Sequence, residues 1–259
     1  MSLFCVNIGN THVGLGLYES ETLGTHWSIS TDPHKTADEY AMLILDLFDR
    51  SGQDPTAVQG MIIASVVPPL NSVFEKLSQR YFGQMPLIVD ATVHTGVRIL
   101  LDNPSEVGAD RVVNAVAAFR RYGGPACVVD LGTGTTFDII SVEGDYMGGA
   151  IAPGLGIAAD AMFQRTAKLP RIDLVRPPSV IGKNTVHAMQ SGLLFGYAGL
   201  VEGLVARYRA ELGPSMKVIA TGGLARLVAA ETNAFDAVDP WLTLDGLRMI
   251  WDMNQGKEP

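Results

Sequence analysis

Cysteine is almost absent from this sequence, with two in 259 residues, Cys5 and Cys127. Each lies inside an apolar run that reads as a buried strand, and neither has a partner at metal-ligand spacing. A disulfide framework, a redox pair and a thiolate metal site are therefore excluded as organising features. Basic residues are scarce as well. Nineteen Lys and Arg against 27 Asp and Glu leave a net charge of -8, which excludes a broad electrostatic grip on nucleic acid or an anionic membrane, so any bound phosphate must be held locally. Long apolar runs are missing too: the longest uncharged stretch, residues 184–201, contains His187, Gln190, Ser191 and three glycines and reads as a packed helix, not a membrane span. Residues 1–7 lack a basic lead and are too short for a secretory signal, so a cytoplasmic protein without a transmembrane segment is expected. The familiar nucleotide signatures are also lacking. Gly182-Lys183 has Pro177 where a P-loop needs its first glycine and Asn184 where Ser or Thr should follow, and no strand leads into G-x-G-x-x-G ahead of a helix.

What is present is a hydrophobic content of 47% with 28 glycines, enough to bury the core of a compact α/β protein. Strand-like and helix-like patterns alternate. Leu3 to Val6 read as a buried strand, followed by alternation through Val13, Leu15 and Leu17, with a turn near Ser20 and a strand resuming at Trp27. Thr36 and Glu39 form a capping box before apolar positions at helical spacing, with Gly52 past the end. Met61 to Val67 read as a strand halted by Pro68 and Pro69, with a helix to about Arg80 and a strand at Leu87 to Val89. Such alternation implies a layered sheet.

An internal echo is the most informative feature. Residues 5–11, C-V-N-I-G-N-T, are matched by V-V-D-L-G-T at 128–133, with Asn7 aligned to Asp130 and Gly9 to Gly132. The second copy continues through Phe137, Ile139 and Val142, turns at Glu143-Gly144-Asp145 and resumes at Tyr146. Either the chain holds two similar halves or the likeness is fortuitous. A glycine after a strand lets backbone N–H groups approach an anion, so these turns can cradle phosphate or can be ordinary hairpins. Residues 218–224, V-I-A-T-G-G-L, run a strand into paired glycines and a helix at Ala225 to Ala230, suiting either a flat ligand such as adenine or a plain tight turn. Asp110 falls in the first turn of an apolar helix, as a rigid proton acceptor or as a capping Asp paired with Arg111.

Together these residues resemble the type III pantothenate kinases, of the superfamily that includes acetate and sugar kinases and actin. The likeness runs in the family's order through N-I-G-N-T (7–11), D-N-P-S-E-V-G-A-D-R (102–111), D-L-G-T-G-T-T-F-D (130–138), G-G-A-I-A-P-G-L (148–155), I-G-K-N-T (181–185), T-G-G-L-A (221–225) and L-T-L-D-G-L (242–247). The resemblance implies an α/β protein of two ribonuclease-H-like domains of the actin-like ATPase fold, at 1–116 and 117–259, with an interdomain nucleotide cleft. It implies ATP-dependent phosphorylation of pantothenate to 4′-phosphopantothenate, the first step of coenzyme A biosynthesis, by a homodimer whose interface helps form the pantothenate site. It assigns Asp110 as proton acceptor and Asn7, Ile8, Gly9, Asn10, Thr11, His12, Val13, Gly14 and Thr133 to ATP. Leu101, Gly108, Ala109, Asp110, Arg111 and Thr185 fall to pantothenate. Asp130 falls to a monovalent cation, potassium or ammonium, and magnesium accompanies the ATP. Two positions depart from the family pattern. Asn7 stands where the family has Asp, keeping an oxygen ligand but losing its charge, and Leu101 stands where the family has Tyr, losing a hydroxyl and an aromatic face. These departures motivate two other readings, a non-catalytic nucleotide-binding regulatory relative and a kinase of another small acid or sugar.

Overall fold

The structure, a computed structural model, describes residues 2–255. The strands are β1 (Ser2–Ile8), β2 (His12–Glu19), β3 (Thr22–Ser30), β4 (Val58–Ser65), β5 (Leu87–Ile88), β6 (Ala126–Leu131), β7 (Gly134–Ile140), β8 (Tyr146–Pro153), β9 (Lys217–Thr221) and β10 (Ala237–Val238). The helices are α1 (Ala37–Arg50), α2 (Pro68–Leu77), α3 (Ala109–Tyr122), α4 (Leu155–Arg165), α5 (Thr185–Leu212), α6 (Ala225–Ala229) and α7 (Leu242–Asn254). The chain forms two compact units. The first takes in the chain up to Val97, Asn103–Ala117 and the chain from Leu242 on; the second takes in Arg98–Asp102 and Ala118–Trp241.

Each unit is built on a mixed five-stranded sheet, in the order β3-β2-β1-β4-β5 in the first and β10-β9-β6-β7-β8 in the second. Read outward from β1 and from β6, the two sheets are the same: two antiparallel neighbours on one side and parallel strands on the other. The register makes the echo at residues 5–11 and 128–133 structural. Asn7 pairs with Gly14 and Ala64, while Asp130 pairs with Thr136 and Thr221, so each stands next to last on the central strand of its own sheet.

Side-chain alternation along β1 divides its residues between two cores. Phe4, Val6 and Ile8 pack beneath α1 and α2 with Tyr40, Ile44, Phe48 and Phe74. Leu3 and Cys5 face the other way, against Val113 and Val116 of α3 and Leu244, Leu247, Ile250 and Trp251 of α7. In the second unit Cys127, Val129 and Leu131 pack with Phe137, Leu194 and Val201. Both cysteines are buried, and burial pushes both thiols up from their ordinary range, which keeps them protonated and inert.

Four details differ from the sequence reading. β4 starts three residues before Met61 and ends at Ser65, because Pro68 and Pro69 do not merely halt it but occupy the first turn of α2, where their missing N–H groups cost nothing. A tight turn with Ser20 at φ 54° lets β3 start at Thr22, well before Trp27. Val142 lies in the turn after β7 and is 62% exposed. The helix begun by α2 continues as one π-helical turn, Ser78–Phe82, ended by Gly83 in the left-handed region. Among the described residues, no helix is long and apolar enough to cross a membrane.

Candidate active site

In the first unit the turn after β1 is held by its own carbonyls. Gly9 N donates to His12 O (3.0 Å), Thr31 N to Thr11 O (2.9 Å) and Thr31 Oγ1 to Gly9 O (2.7 Å). Asn10 projects at the tip, exposed, with neither backbone nor side chain in a hydrogen bond among the described residues. Its amide is thus available to an anion. Asn7 sits at the base of this turn on the sheet face of Leu3 and Cys5. The residue is half-buried, yet its Oδ1 is sealed from solvent and accepts no hydrogen bond among the described residues. A buried acceptor left unmade costs about 1–3 kcal/mol, so a site that keeps one is a place to look for a missing donor or ion.

Asp110 and its neighbours belong to the same unit. Asn103 caps a 3-10 turn, Pro104–Glu106, and Gly108 then leads into α3, whose first turn holds Asp110. Asp110 Oδ1 accepts from Arg111 N (2.8 Å), and Arg111 N also approaches Gly108 O (3.1 Å). A Cβ on Gly108 would stand 2.6 Å from Asp110 Oδ1 and 3.3 Å from Val66 Cγ1, so a side chain here would push the carboxylate from its present position. Val66 N in turn donates to Ile8 O (3.0 Å). The carboxylate, the Gly108–Arg111 segment and the loop from Asn7 to Gly14 are thus brought to one end of the first sheet. The capping reading and the proton-acceptor reading of Asp110 are compatible: its backbone contact fixes the carboxylate in a half-buried position.

The second unit holds the remaining candidates. Asp130 is the next-to-last residue of β6, and Gly132 N donates to Gly134 O (3.0 Å) across the turn that carries exposed Thr133. Gly222, at φ +90°, lies so close to Asp130 that a Cβ there would collide with Asp130 Oδ1 and with the backbone of Leu131, and Leu224 N donates to Leu131 O (3.1 Å). Gly222 therefore serves the turn around Asp130, while a Cβ on Gly223 would meet open space. Leu101 packs toward Gly148, where a Cβ would be 3.0 Å from Leu101 Cδ2. The segment that carries Leu101 is tied down by an Arg98–Asp145 ion pair made through two guanidinium nitrogens (Nε to Oδ1, 2.8 Å), by Tyr146 N to Arg98 O (2.8 Å) and by Leu100 N to Tyr146 O (2.8 Å). The Arg98 guanidinium holds the Asp145 carboxyl below the usual carboxylate range. The sequence reading did not single out this pair; only the bridge between residue 99 and Tyr146 reveals it. Thr185 is the first residue of α5, behind the Asn184 cap (Asn184 Oδ1 accepting from His187 N, 2.8 Å), and lines a cleft of about 500 Å³ with Met162, Leu169 and Met189.

No group of three or more His, Cys, Asp and Glu that could hold a metal ion occurs among the described residues. Cations at these positions would rest on few protein oxygens: the orphaned Asn7 Oδ1 in one unit, and the Asp130 carboxylate in the other. Both donor sets are hard oxygen ligands, which fits magnesium and potassium and does not fit a soft metal.

Comparison with known families decides what this arrangement belongs to. The family described as type III pantothenate kinase matches residues 3–207. The chain belongs to the type III pantothenate kinase family. The type III pantothenate kinase of Roseiflexus sp. (strain RS-1) is 56% identical over 253 residues, 98% of this chain and 99% of that one. That of Myxococcus xanthus (strain DK1622) is 51% identical over 252 residues, 97% of this chain and 98% of that one. Among solved structures, a Baf-family protein of Campylobacter jejuni described as a transcriptional activator is similar at a TM-score of 0.63 and 17% identity, covering 98% of this chain and 99% of that one. A ROK family glucokinase from Streptomyces griseus, in complex with glucose and AMPPNP, is similar at 0.52 and 14%, covering 99% of this chain and 100% of that one. These structural likenesses establish the actin-like ATPase fold expected from the sequence. Membership of the pantothenate kinase family rests on the two sequence relatives and the family match.

Proposed function

We propose that the chain transfers the γ-phosphoryl group of ATP to the hydroxyl of pantothenate, giving 4′-phosphopantothenate, the first step of coenzyme A biosynthesis. The observation that carries this reading is Asp110, seated over Gly108 in the first turn of α3, with Val66 joining that turn to the end of β1 where the Asn7–Gly14 loop begins. Phosphoryl transfer asks little covalent chemistry of a protein; positioning and charge neutralisation do most of the work. Asp110 accepts the proton of the attacking hydroxyl. Arg111, next in the helix, binds the pantothenate carboxylate through its two-pronged guanidinium, and Leu101 and Thr185 line the substrate. Amides of the loop from Asn7 to Gly14 and the Thr133 hydroxyl bind the nucleotide's phosphates. Asn7 Oδ1 would hold the magnesium that travels with ATP, and Asp130 would hold a potassium or ammonium ion. When bound, these cations offset phosphate charge in a protein that is acidic overall.

The test is ATP-dependent phosphorylation of pantothenate by the purified protein, with magnesium, in potassium against sodium. Turnover that requires potassium is expected, and pantothenate should outrun pantetheine and simple sugars. ATP binding without turnover of any of these acceptors would overturn the reading in favour of a non-catalytic relative. Turnover of a sugar alone would reassign the substrate and keep the chemistry. The working unit is a homodimer of the 27.7 kDa chain, and light scattering at micromolar concentration should give about twice the chain mass.

A further inference from the structure

The second sheet carries a polar line that the roles above leave unused. It lies on the face turned away from Cys127, Val129 and Leu131, the same face as Asp130. Thr136 of β7 is the antiparallel partner of Asp130, and Thr221 of β9 is its parallel partner. Paired residues on neighbouring strands project from the same face, with strands about 4.8 Å apart, so a threonine flanks the carboxylate on each side. Two residues along β7, Asp138 is fully buried. Its Oδ2 accepts from Thr136 Oγ1 (2.9 Å) and its Oδ1 from Tyr146 OH (2.8 Å).

This network fixes the direction of a proton. A threonine hydroxyl has one O–H and two lone pairs. With its proton given to Asp138, Thr136 offers only lone pairs to its surroundings. Thr221 is 1% exposed, and a threonine hydroxyl carries two lone pairs, so its oxygen can also face an ion. A hard cation needs such lone pairs, and a hydroxyl free to turn its proton toward the ion would oppose it.

We propose that Thr136 and Thr221 supply neutral oxygen ligands beside Asp130 for the monovalent cation, and that Asp138 and Tyr146 are positioning residues that keep the Thr136 proton turned away from it. The proposal rests on the assignment of Asp130 to that cation. Removing a ligand or the partner that orients it weakens metal sites by about 10- to 100-fold.

Cation binding can be followed without turnover, as the rise in thermal midpoint when potassium replaces choline at constant ionic strength, with a non-hydrolysable ATP analogue bound. Thr136→Val and Thr221→Val keep side-chain shape and should each raise the half-saturating potassium concentration by about tenfold or more. Thr136→Ser should stay near the wild-type value. Asp138→Asn, whose amide can donate to Thr136 and reverse its proton, should weaken potassium as Thr136→Val does. Wild-type half-saturation in both valine variants would overturn the proposal. If Asp130→Asn abolishes the potassium response while the valine variants do not, the threonine assignment alone is wrong. If Asp130→Asn also leaves the response intact, or the wild type shows none, the reading of Asp130 falls with it.

Discussion

In the proposed reaction the chemistry turns on Asp110, and its surroundings say what substitution should do. Asn at this position keeps the shape and the oxygen that accepts from Arg111 N (2.8 Å) but cannot take a proton. Asp110→Asn should therefore fold normally and turn over roughly 100- to 10,000-fold more slowly, the usual range for a positioned base. A circular dichroism melt matching wild type beside near-normal turnover would remove Asp110 from that role. Asn7 poses the complementary question. Its Oδ1 is buried without a donor among the described residues, and a carboxylate there would attract a hard cation more strongly than an amide. Asn7→Asp should lower the magnesium concentration needed for half-maximal binding of an ATP analogue. It should also destabilise the protein when magnesium is absent, because the buried charge then has no partner. A magnesium titration by fluorescence or calorimetry, unchanged between the two proteins, would show that Asn7 does not approach the metal.

At the scale of elements, local chemistry was the most legible. The capping box read from Thr36 and Glu39 is present, with Glu39 N donating to Thr36 Oγ1 (3.3 Å) and Thr36 N to Glu39 Oε2 (2.8 Å), because both partners lie within one turn. The helix after Asp110 and the glycine turns were visible for the same reason. Strand ends were less so, since pairing partners far along the chain decide where a strand stops, as at Val58 and Thr22. Arg98 and Asp145, 47 residues apart, carried no local signal at all. Their pairing makes a pH prediction with a definite sign. Arg98 lowers the folded-state pKa of Asp145, so the pair contributes stability that is present above the unfolded carboxylate pKa, about 3.9, and lost as pH falls through the lower folded value. Arg98→Gln should thus melt below wild type at neutral pH, with the two curves converging in strong acid. A gap that persists unchanged into acid would mean that Arg98 acts through packing and not through charge.

For the whole molecule, the echo between residues 5–11 and 128–133 held the key to the architecture, because a strand, a glycine turn and a return strand fix the centre of a sheet. The two identical strand orders show that the halves repeat a plan. What the echo could not convey is that the last helix returns to the first sheet. The L-T-L-D-G-L motif was recognisable only as part of a family pattern, although α7 lies against β1, β4 and α3, with Tyr18 OH donating to Asp245 Oδ1 (2.7 Å). Contacts with residues some 240 positions earlier leave no periodic trace nearby. Their energetic weight is nonetheless large. Leu244, Leu247, Ile250 and Trp251 are each less than 10% exposed, and burying four such side chains contributes roughly 6–12 kcal/mol. That is comparable with the entire stability of a domain, about 5–15 kcal/mol. Removing the chain from Leu242 onward would also strip the cover from Leu3, Cys5 and Ile62, leaving an exposed apolar face of the kind that drives aggregation. The truncated protein should accordingly lose its cooperative melt and precipitate on expression. A soluble product with a melting curve close to that of the full chain would mean that the first sheet is held together by α1 and α2 alone, with α7 serving only as an outer layer.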